Sequence, residues 1–516
     1  MMKQLSKSRY TTFCQCPKAL WLKVYKPDVA EVDEGLQARL EQGNVVGDLA
    51  MGLFGDYKEV TTYKEDGNLD YQKMIELTQQ YMNEGVENIC EASFSFEGNY
   101  CAVDILRKTS GGWAMYEVKS TSFPEFNEKS AKLEKYVPDI AYQKWVLMQC
   151  GVNVTGTYLV CLNSDYVRQG DLDIDQLFVI KDMGELVANE ILNVPPRVIE
   201  AMKFLDNADE PEQDLGKQCN KPYPCSFWTY CAEKHHLPIP SVFDVYGGSF
   251  KSKAEDRFFM TKKLALYKAG KCSFDDLKNE PMGHIQRLQV EGKEYIDKES
   301  IRQFLDTLQY PLYFLDYETM QDAVPQYDGA KPYQQITFQY SLHIKRSANA
   351  PYEHKEHLAK SDGTDPRRKL AEQLCHDIPM DGCVLAYNKM FEEGRTKELA
   401  ALYPGLRDHL LYIANNIKDL LDPFQAGYYY LPAMGGSFSI KKVLPALFPN
   451  EPSLDYHNLS DLCQNGGDAM TIFPKIKDMP PAEALAARTA LLKYCELDTW
   501  AMVKVWERLK EVAGVN

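Results

Sequence analysis

Asp104, Glu117 and Lys119 lie in the stretch Cys101–Lys119, with twelve residues between the aspartate and the glutamate and one between the glutamate and the lysine. Side chains alternate along a strand, so Glu117 and Lys119 point the same way, and Asp104 on the preceding strand can approach them. Two carboxylates can hold a divalent cation, and an ammonium can stabilise developing negative charge. The plain alternative is an exposed hairpin with a salt bridge. Cys219, Cys225 and Cys231 are spaced by two equal gaps of five residues. Thiolates bind soft metals, and four of them satisfy tetrahedral zinc or a [4Fe–4S] cluster. Zinc ligands more often come in close pairs, so three cysteines plus a distant fourth favour the cluster. The fourth is Cys16 or Cys14; the alternative is three buried cysteines in a small core. Asp316 and Glu318 lie two apart in the apolar run Tyr310–Thr319. Acids inside such a strand need partners, and metal supplies them. Tyr494 and Asp498, one helical turn apart, share a face.

These residues must be positioned by secondary structure, and the pattern is legible. Apolar runs flank Lys108–Gly112, which predicts a β-hairpin with a turn of several residues. Ser6 or Ser8 can cap a short helix ending near Cys16–Pro17. Leu36, Leu40, Gly43, Val46, Ala50 and Leu53 predict a helix with a buried stripe. Glu91–Phe96 alternates like a strand, residues 141–148 read as a helix and Thr157–Leu162 as a buried strand. The order suits a sheet covered by helices. His235–Ser241 is a linker signal, followed by an amphipathic helix from Ser252 to Lys268. Strands are predicted over Tyr310–Thr319, Gln335–His343 and from Cys383, the last leading into a polar loop with Asn388 and Glu392. A long helix is predicted over 484–512.

The run Ser6-x-Ser8-x4-Phe13-x2-Cys16-Pro17, the hairpin, Gln143 and the cysteine triplet together resemble RecB-type PD-(D/E)xK nucleases that carry an iron–sulfur cluster, a group that includes CRISPR-associated exonucleases. The resemblance covers about residues 1–235. It implies that Asp104, Glu117, Lys119 and Gln143 are catalytic, with Asp104 and Glu117 also holding metal, and that Cys16, Cys219, Cys225 and Cys231 hold a cluster stapling the domain's first and last segments. Where that group often has a metal-binding histidine after a glycine, Gly43 is followed by Gly47, and Asp48 is the candidate replacement. The Gln-x3-Tyr pattern reads Gln143-x3-Leu147.

Asp316-x-Glu318, Asn388-x3-Glu392 and Tyr494-x3-Asp498 resemble the three motifs of ribonuclease-H-like DEDD exonucleases of the tyrosine-bearing subgroup, over roughly 306–516. The resemblance implies two metals held by Asp316, Glu318, Glu392 and Asp498, with Tyr494 orienting the attacking water. Glu392 stands where that family usually has aspartate. Gly435–Lys442 can contact a phosphate backbone or form a plain turn, and Tyr428–Tyr430 can stack bases or pack in the core.

The chain of 516 residues is too long for one ordinary domain. Its net charge of -16 excludes attraction of nucleic acid to the whole surface, so a local patch is needed. Lys3, Lys7, Arg9, Lys18, Lys23 and Lys26, with no acid among the first 27 residues, are the candidate. No apolar run is long enough to span a bilayer, no secretion signal is evident, and fourteen cysteines then suggest metal or burial rather than disulfides. The expected architecture is α/β in two domains. A restriction-endonuclease-like sheet with helices occupies 1–235 and a ribonuclease-H-like mixed sheet with helices occupies 306–516, joined by a helical connector over 236–305. The expected function is metal-dependent hydrolysis of nucleic-acid phosphodiesters in the cytoplasm, exonucleolytic on single-stranded DNA ends, with a [4Fe–4S] cluster and magnesium or manganese. The alternatives are a nucleic-acid-binding protein with degenerate centres and a structural zinc scaffold.

Overall fold

The computed structural model describes residues 4–32, 35–124, 132–247 and 253–515. Lys3 and Ser252 lie outside them. The fold is α/β in two compact units. One comprises Met1–His236 with Asp322–Gln334, the other Leu237–Gln321 with Gln335–Asn516.

Among the described residues, the first unit is built on a sheet of order β2-β3-β4-β5-β6-β7. These strands are Lys58–Glu59, Asn88–Phe96, Asn99–Thr109, Gly112–Phe123, Val154–Asn163 and Phe178–Asp182. A short β1, Leu5–Ser6, pairs parallel with β4. The hairpin between β4 and β5 is tighter than its sequence suggests, because Thr109 pairs with Gly112 and only Ser110–Gly111 turn. Gly112 sits at φ 152, and a Cβ there would collide with the Asn153 carbonyl oxygen. Helices α1 (Lys7–Gln15) and α5 (Val137–Gln149) bury Tyr10, Phe13, Ile140 and Tyr142 with Phe94, Cys101 and Val103 of the sheet. Helix α3 (Leu36–Met51) buries Val46, Ala50 and Met51 in a separate cluster with Cys90, Ile105 and Tyr116. Only this carboxyl-terminal half of the predicted α3 stripe is buried; Leu36 and Leu40 are about half exposed, at 48% and 52%. Of the two serines the sequence offered, Ser6 caps α1 by accepting from the Arg9 N–H.

The first and last segments of this unit meet. Trp21 Nε1 donates to the Asn207 carbonyl at 3.0 Å, and Tyr25 Oη to that of Leu205 at 2.7 Å. Lys18 and Lys26 both pair with Glu210 at 2.9 Å. Lys7 is likewise engaged with Glu117. Of the basic amino-terminal stretch, Lys7, Lys18 and Lys26 are thus engaged in internal ion pairs. Residues 322–334 complete the unit: the Ala323 N–H donates to Gln42 Oε1 at 2.7 Å, and Tyr333 Oη donates to the Ser120 carbonyl.

The second unit has a mixed sheet of order β11-β10-β9-β12-β13. Its strands are Tyr352–Leu358, Gln335–Lys345, Leu312–Gln321, Cys383–Ala386 and Ile417–Asp419. Alternation decides the two faces of β9. Tyr313, Leu315 and Tyr317 enter the core with Leu370, Leu399 and Ile413. Asp316 and Glu318, of the opposite parity, face the other way. That face is covered by the long helix Pro481–Ala513, whose Trp506 lies 5.8 Å from Phe314 and whose Leu491 carbonyl accepts from Gln339 Nε2 at 2.9 Å. The predicted connector is no separate layer. Its helix Lys253–Lys268 forms as expected, but residues from 237 onward belong to this unit. β8 (Tyr295–Ile296) pairs with β14 (Tyr429–Tyr430), and Gln289 Nε2 donates to the carbonyls of Asp244 and Gly435. Tyr429 and Tyr430 are fully buried in that pairing, which removes them as a base-stacking platform. Among the described residues no helix is long and apolar enough to cross a membrane.

Candidate active sites

In the first unit Asp104, Glu117, Lys119 and Gln143 converge. Glu117 is fully buried and accepts from Lys7 Nζ at 2.8 Å, from Gln143 Nε2 at 2.6 Å and from Lys119 Nζ. Asp104 accepts the Val118 N–H at 2.6 Å and lies 3.8 Å from Lys7 Nζ. Three members were not foreseen. Asp139, one helical turn before Gln143 on α5, accepts from Lys119 Nζ at 2.9 Å and from Gln143 Nε2 at 3.0 Å. Lys7 follows β1 directly. Glu91 falls opposite Asp104, between the registered pairs Cys90–Ile105 and Ala92–Val103, with φ 56 interrupting β3.

The groups of the cluster shift one another strongly. Burial, then the Asp104 charge, raise the Glu91 carboxyl to about 8; Lys7 only partly opposes this. Burial and the neighbouring Asp104 and Asp139 carboxylates also raise Glu117. Asp139 goes the other way: burial would raise it, but Lys119 and Lys7 outweigh burial and hold it well below the usual range. Burial would lower Lys7, yet Asp104, Glu117 and Asp139 hold its ammonium above the ordinary value. Four carboxylates thus crowd around two ammonium groups, a set of oxygen donors that suits a divalent cation. The buried Gln143 Oε1 has no hydrogen-bond partner. Asp48 is not part of this arrangement. It lies exposed on α3, whose buried side chains join the other cluster of the sheet, and Glu91 supplies the additional carboxylate instead.

In the second unit Asp316, Glu318, Glu392 and Asp498 lie close together, and the charges of the other three all act on Asp316. β9 supplies the first two and the long helix the last. Glu392 lies in the first turn of the helix Met390–Leu402, not in a loop, because β12 passes to helix within three residues. Asn388 makes that bend at φ 68, and Asp419 fixes it by accepting the N–H groups of Asn388 and Lys389 at 2.8 and 3.0 Å. Burial, then the Asp498 charge, push Asp316 and Glu318 well above the carboxylate range. Burial raises Glu392 to about 8, and its Oε2 is buried without a partner. Burial raises Asp498 to about 6, moderated by hydrogen bonds from Tyr456 and Tyr494 and by Lys441. Tyr456 Oη donates to Asp498 Oδ1 at 2.5 Å. Lys441 Nζ lies 5.3 Å from the Tyr456 ring and 5.8 Å from the Tyr494 ring. The Cys495 thiol donates to Asp316 Oδ2 at 3.6 Å, and Asp316, Glu318 and Cys495 each offer a ligand atom within 4.8 Å of the others. Tyr456 and Cys495 were missed by the sequence reading, although Cys495 lies inside a recognised motif; Lys441 belongs to the stretch Gly435–Lys442 that the sequence offered as a phosphate contact.

Cys16, Cys219, Cys225 and Cys231 line one cavity, with Ala19, Leu22 and Phe227 on its apolar side. Cys16 is the N-cap of α2 (Pro17–Tyr25), where the nearby backbone N–H groups of Ala19 and Lys18 favour the thiolate and partly oppose burial. Cys14 instead contacts Tyr10 and Arg197, which selects Cys16 as the fourth member. Burial raises all four thiols, Cys231 to about 11. A bound cation reverses that shift, since coordination deprotonates a thiol. The donor set fits a soft metal or a cluster.

No curated protein matches the sequence. A family model described as a domain of unknown function (DUF2779) matches residues 313–439, a span that includes Asp316, Glu318 and Glu392 and stops short of Tyr494 and Asp498.

Proposed function

We propose that the protein is a metal-dependent nuclease with two centres, acting on nucleic acid and by preference on DNA with single-stranded ends. The observation that carries this reading is the buried excess of carboxylates at both centres, beside an ammonium and a carboxamide at the first and two phenols at the second. Magnesium or manganese, when bound, would polarise the scissile phosphate and supply the attacking water. Asp104, Glu117 and Glu91 would hold metal at the first centre, and Asp316, Glu318, Glu392 and Asp498 at the second. Lys119 would donate to charge developing on the phosphate. Gln143 keeps Glu117 and Asp139 aligned. Tyr494 holds a hydrogen bond to Asp498 and can orient water. The four cysteines would hold a [4Fe–4S] cluster that ties α1–α2 to the segment 205–231, and their shared cavity and the helix N-terminus at Cys16 support that role.

The test is release of label from end-labelled single-stranded DNA and RNA with magnesium or manganese. Wild type should act, Lys119→Ala and Asp316→Ala should each lose part of the activity, and the double variant should lose all of it. A wild type inactive on every such substrate, yet binding them, would make the protein a nucleic-acid-binding module.

A further inference from the structure

His343, His354 and Glu496 form a second kind of cluster in the second unit. Each offers a ligand atom within 4.8 Å of the others. The two histidines face each other across β10 and β11, their rings 4.6 Å apart between centroids. Glu496 reaches them from the long helix, its Oε1 3.8 Å from His354 Nδ1. His343 is buried; the His354 side chain is about a quarter exposed and that of Glu496 half exposed, at 25% and 50%. The cluster is thus floored by a buried imidazole and open at the carboxylate.

The hydroxyls behind the rings assign their protons. Thr499 Oγ1 donates to the Glu496 carbonyl of its own helix at 3.1 Å. Having spent its single proton, it can only accept from its other neighbours. Those are Ser341 Oγ at 2.8 Å and His343 Nδ1 at 2.8 Å. Ser341 thereby spends its own proton on Thr499 and must accept from His354 Nε2, at 2.9 Å. With the Thr499 proton on that carbonyl, both imidazoles carry hydrogen on the nitrogen turned to the hydroxyls. His343 Nε2 and His354 Nδ1 are left as lone pairs. Metal-binding histidines are characteristically held in this way, with the second nitrogen donating to an outer partner.

We propose that His343, His354 and Glu496 bind a first-row divalent cation of the zinc type, through two imidazole nitrogens and one carboxylate, with water completing the tetrahedron. Ligand atoms around tetrahedral zinc lie about 3.3 Å apart, so the carboxylate and His354 need only a small side-chain rotation to close on the ion. The site is independent of the acidic centres: its donors are imidazoles suited to zinc, whereas those centres offer oxygen suited to magnesium or manganese. Its effect is to fasten the edge strand β11 to the helix that carries Tyr494 and Asp498. Thr499 acts as a positioning residue through His343.

The experiment uses the full chain, purified without oxygen, equilibrated with zinc in the presence of magnesium, then desalted and analysed for zinc and for thermal unfolding. Wild type should retain about one zinc more than His354→Ala and than Glu496→Gln, and zinc should raise its unfolding temperature but not theirs. Thr499→Val should bind the same zinc about 10- to 100-fold more weakly. Glu496 is half exposed, so Glu496→Gln keeps the fold if His354→Ala does not. Equal zinc content and an equal zinc-dependent shift in wild type and Glu496→Gln would overturn the proposal. Neither readout requires nuclease activity, so the two proposals fail separately.

Discussion

Lys119 is held between Glu117 and Asp139 and has two functions to lose. Lys119→Ala should lower turnover at the first centre by about 100- to 1000-fold, as for removal of one donor to developing charge. Single-turnover kinetics in an Asp316→Ala background would show it, with binding affinity little changed. The second centre predicts a pH effect. Glu392 titrates near 4.5 when unfolded and is raised to about 8 in the fold, so its folded form binds the proton more tightly. That contribution to stability is complete below about 4.5 and disappears as pH rises through 8. A cation takes the proton's place, so manganese should raise the unfolding temperature more at pH 8 than at pH 6. A Glu392→Gln variant should flatten this difference. The motif residues were legible because their spacing is local. Lys7, Glu91 and Asp139 were not, because what places them is pairing of β1 with β4, a break in β3 and one turn of α5. Asp139 alone left a local sign, four residues before Gln143. Asp48 was misplaced for the converse reason: position along α3 says nothing about which side of a sheet the helix covers.

The helices and strands make their own predictions. Cys225→Ala should remove iron and sulfide from the anaerobically purified protein and unfold the first unit at lower temperature, because ligand loss also releases the pairing of α1–α2 with 205–231. Cys14→Ala, outside the cavity, should leave iron content unchanged. At the start of the helix Met390–Leu402, Glu392→Asp retracts a carboxylate whose outer oxygen has no partner. It should keep or raise nucleotide release in a Lys119→Ala background, and abolition of release would show the longer side chain to be required. Element types were readable from alternation: β9 and the long helix formed where apolar periodicity placed them. Less readable were features fixed by partners. The exposed Leu36 and Leu40 follow a helical period as faithfully as the buried Val46 and Ala50. Tyr429 and Tyr430, read as a possible platform, are consumed by β8, a strand of two residues and too short to show a period.

Across the whole molecule, chain order and compact unit do not coincide. The segment 322–334 is the connection between β9 and β10, yet it folds with residues 1–236, where Ala323 and Val324 are buried beside Val46 and Ala50. A chain truncated to 237–516 should therefore expose that loop, bind a hydrophobic dye and unfold at lower temperature than the same fragment with 322–334 replaced by a short turn between Gln321 and Gln335. Equal behaviour of the two fragments would show that the loop carries no such dependence. This division was invisible in the sequence, where the boundary signal at His235–Ser241 is strong and nothing marks residue 322. The consequence reaches inheritance. A gene broken at that boundary would separate residues 322–334 from the unit they fold with, so selection meets the two halves as a single trait.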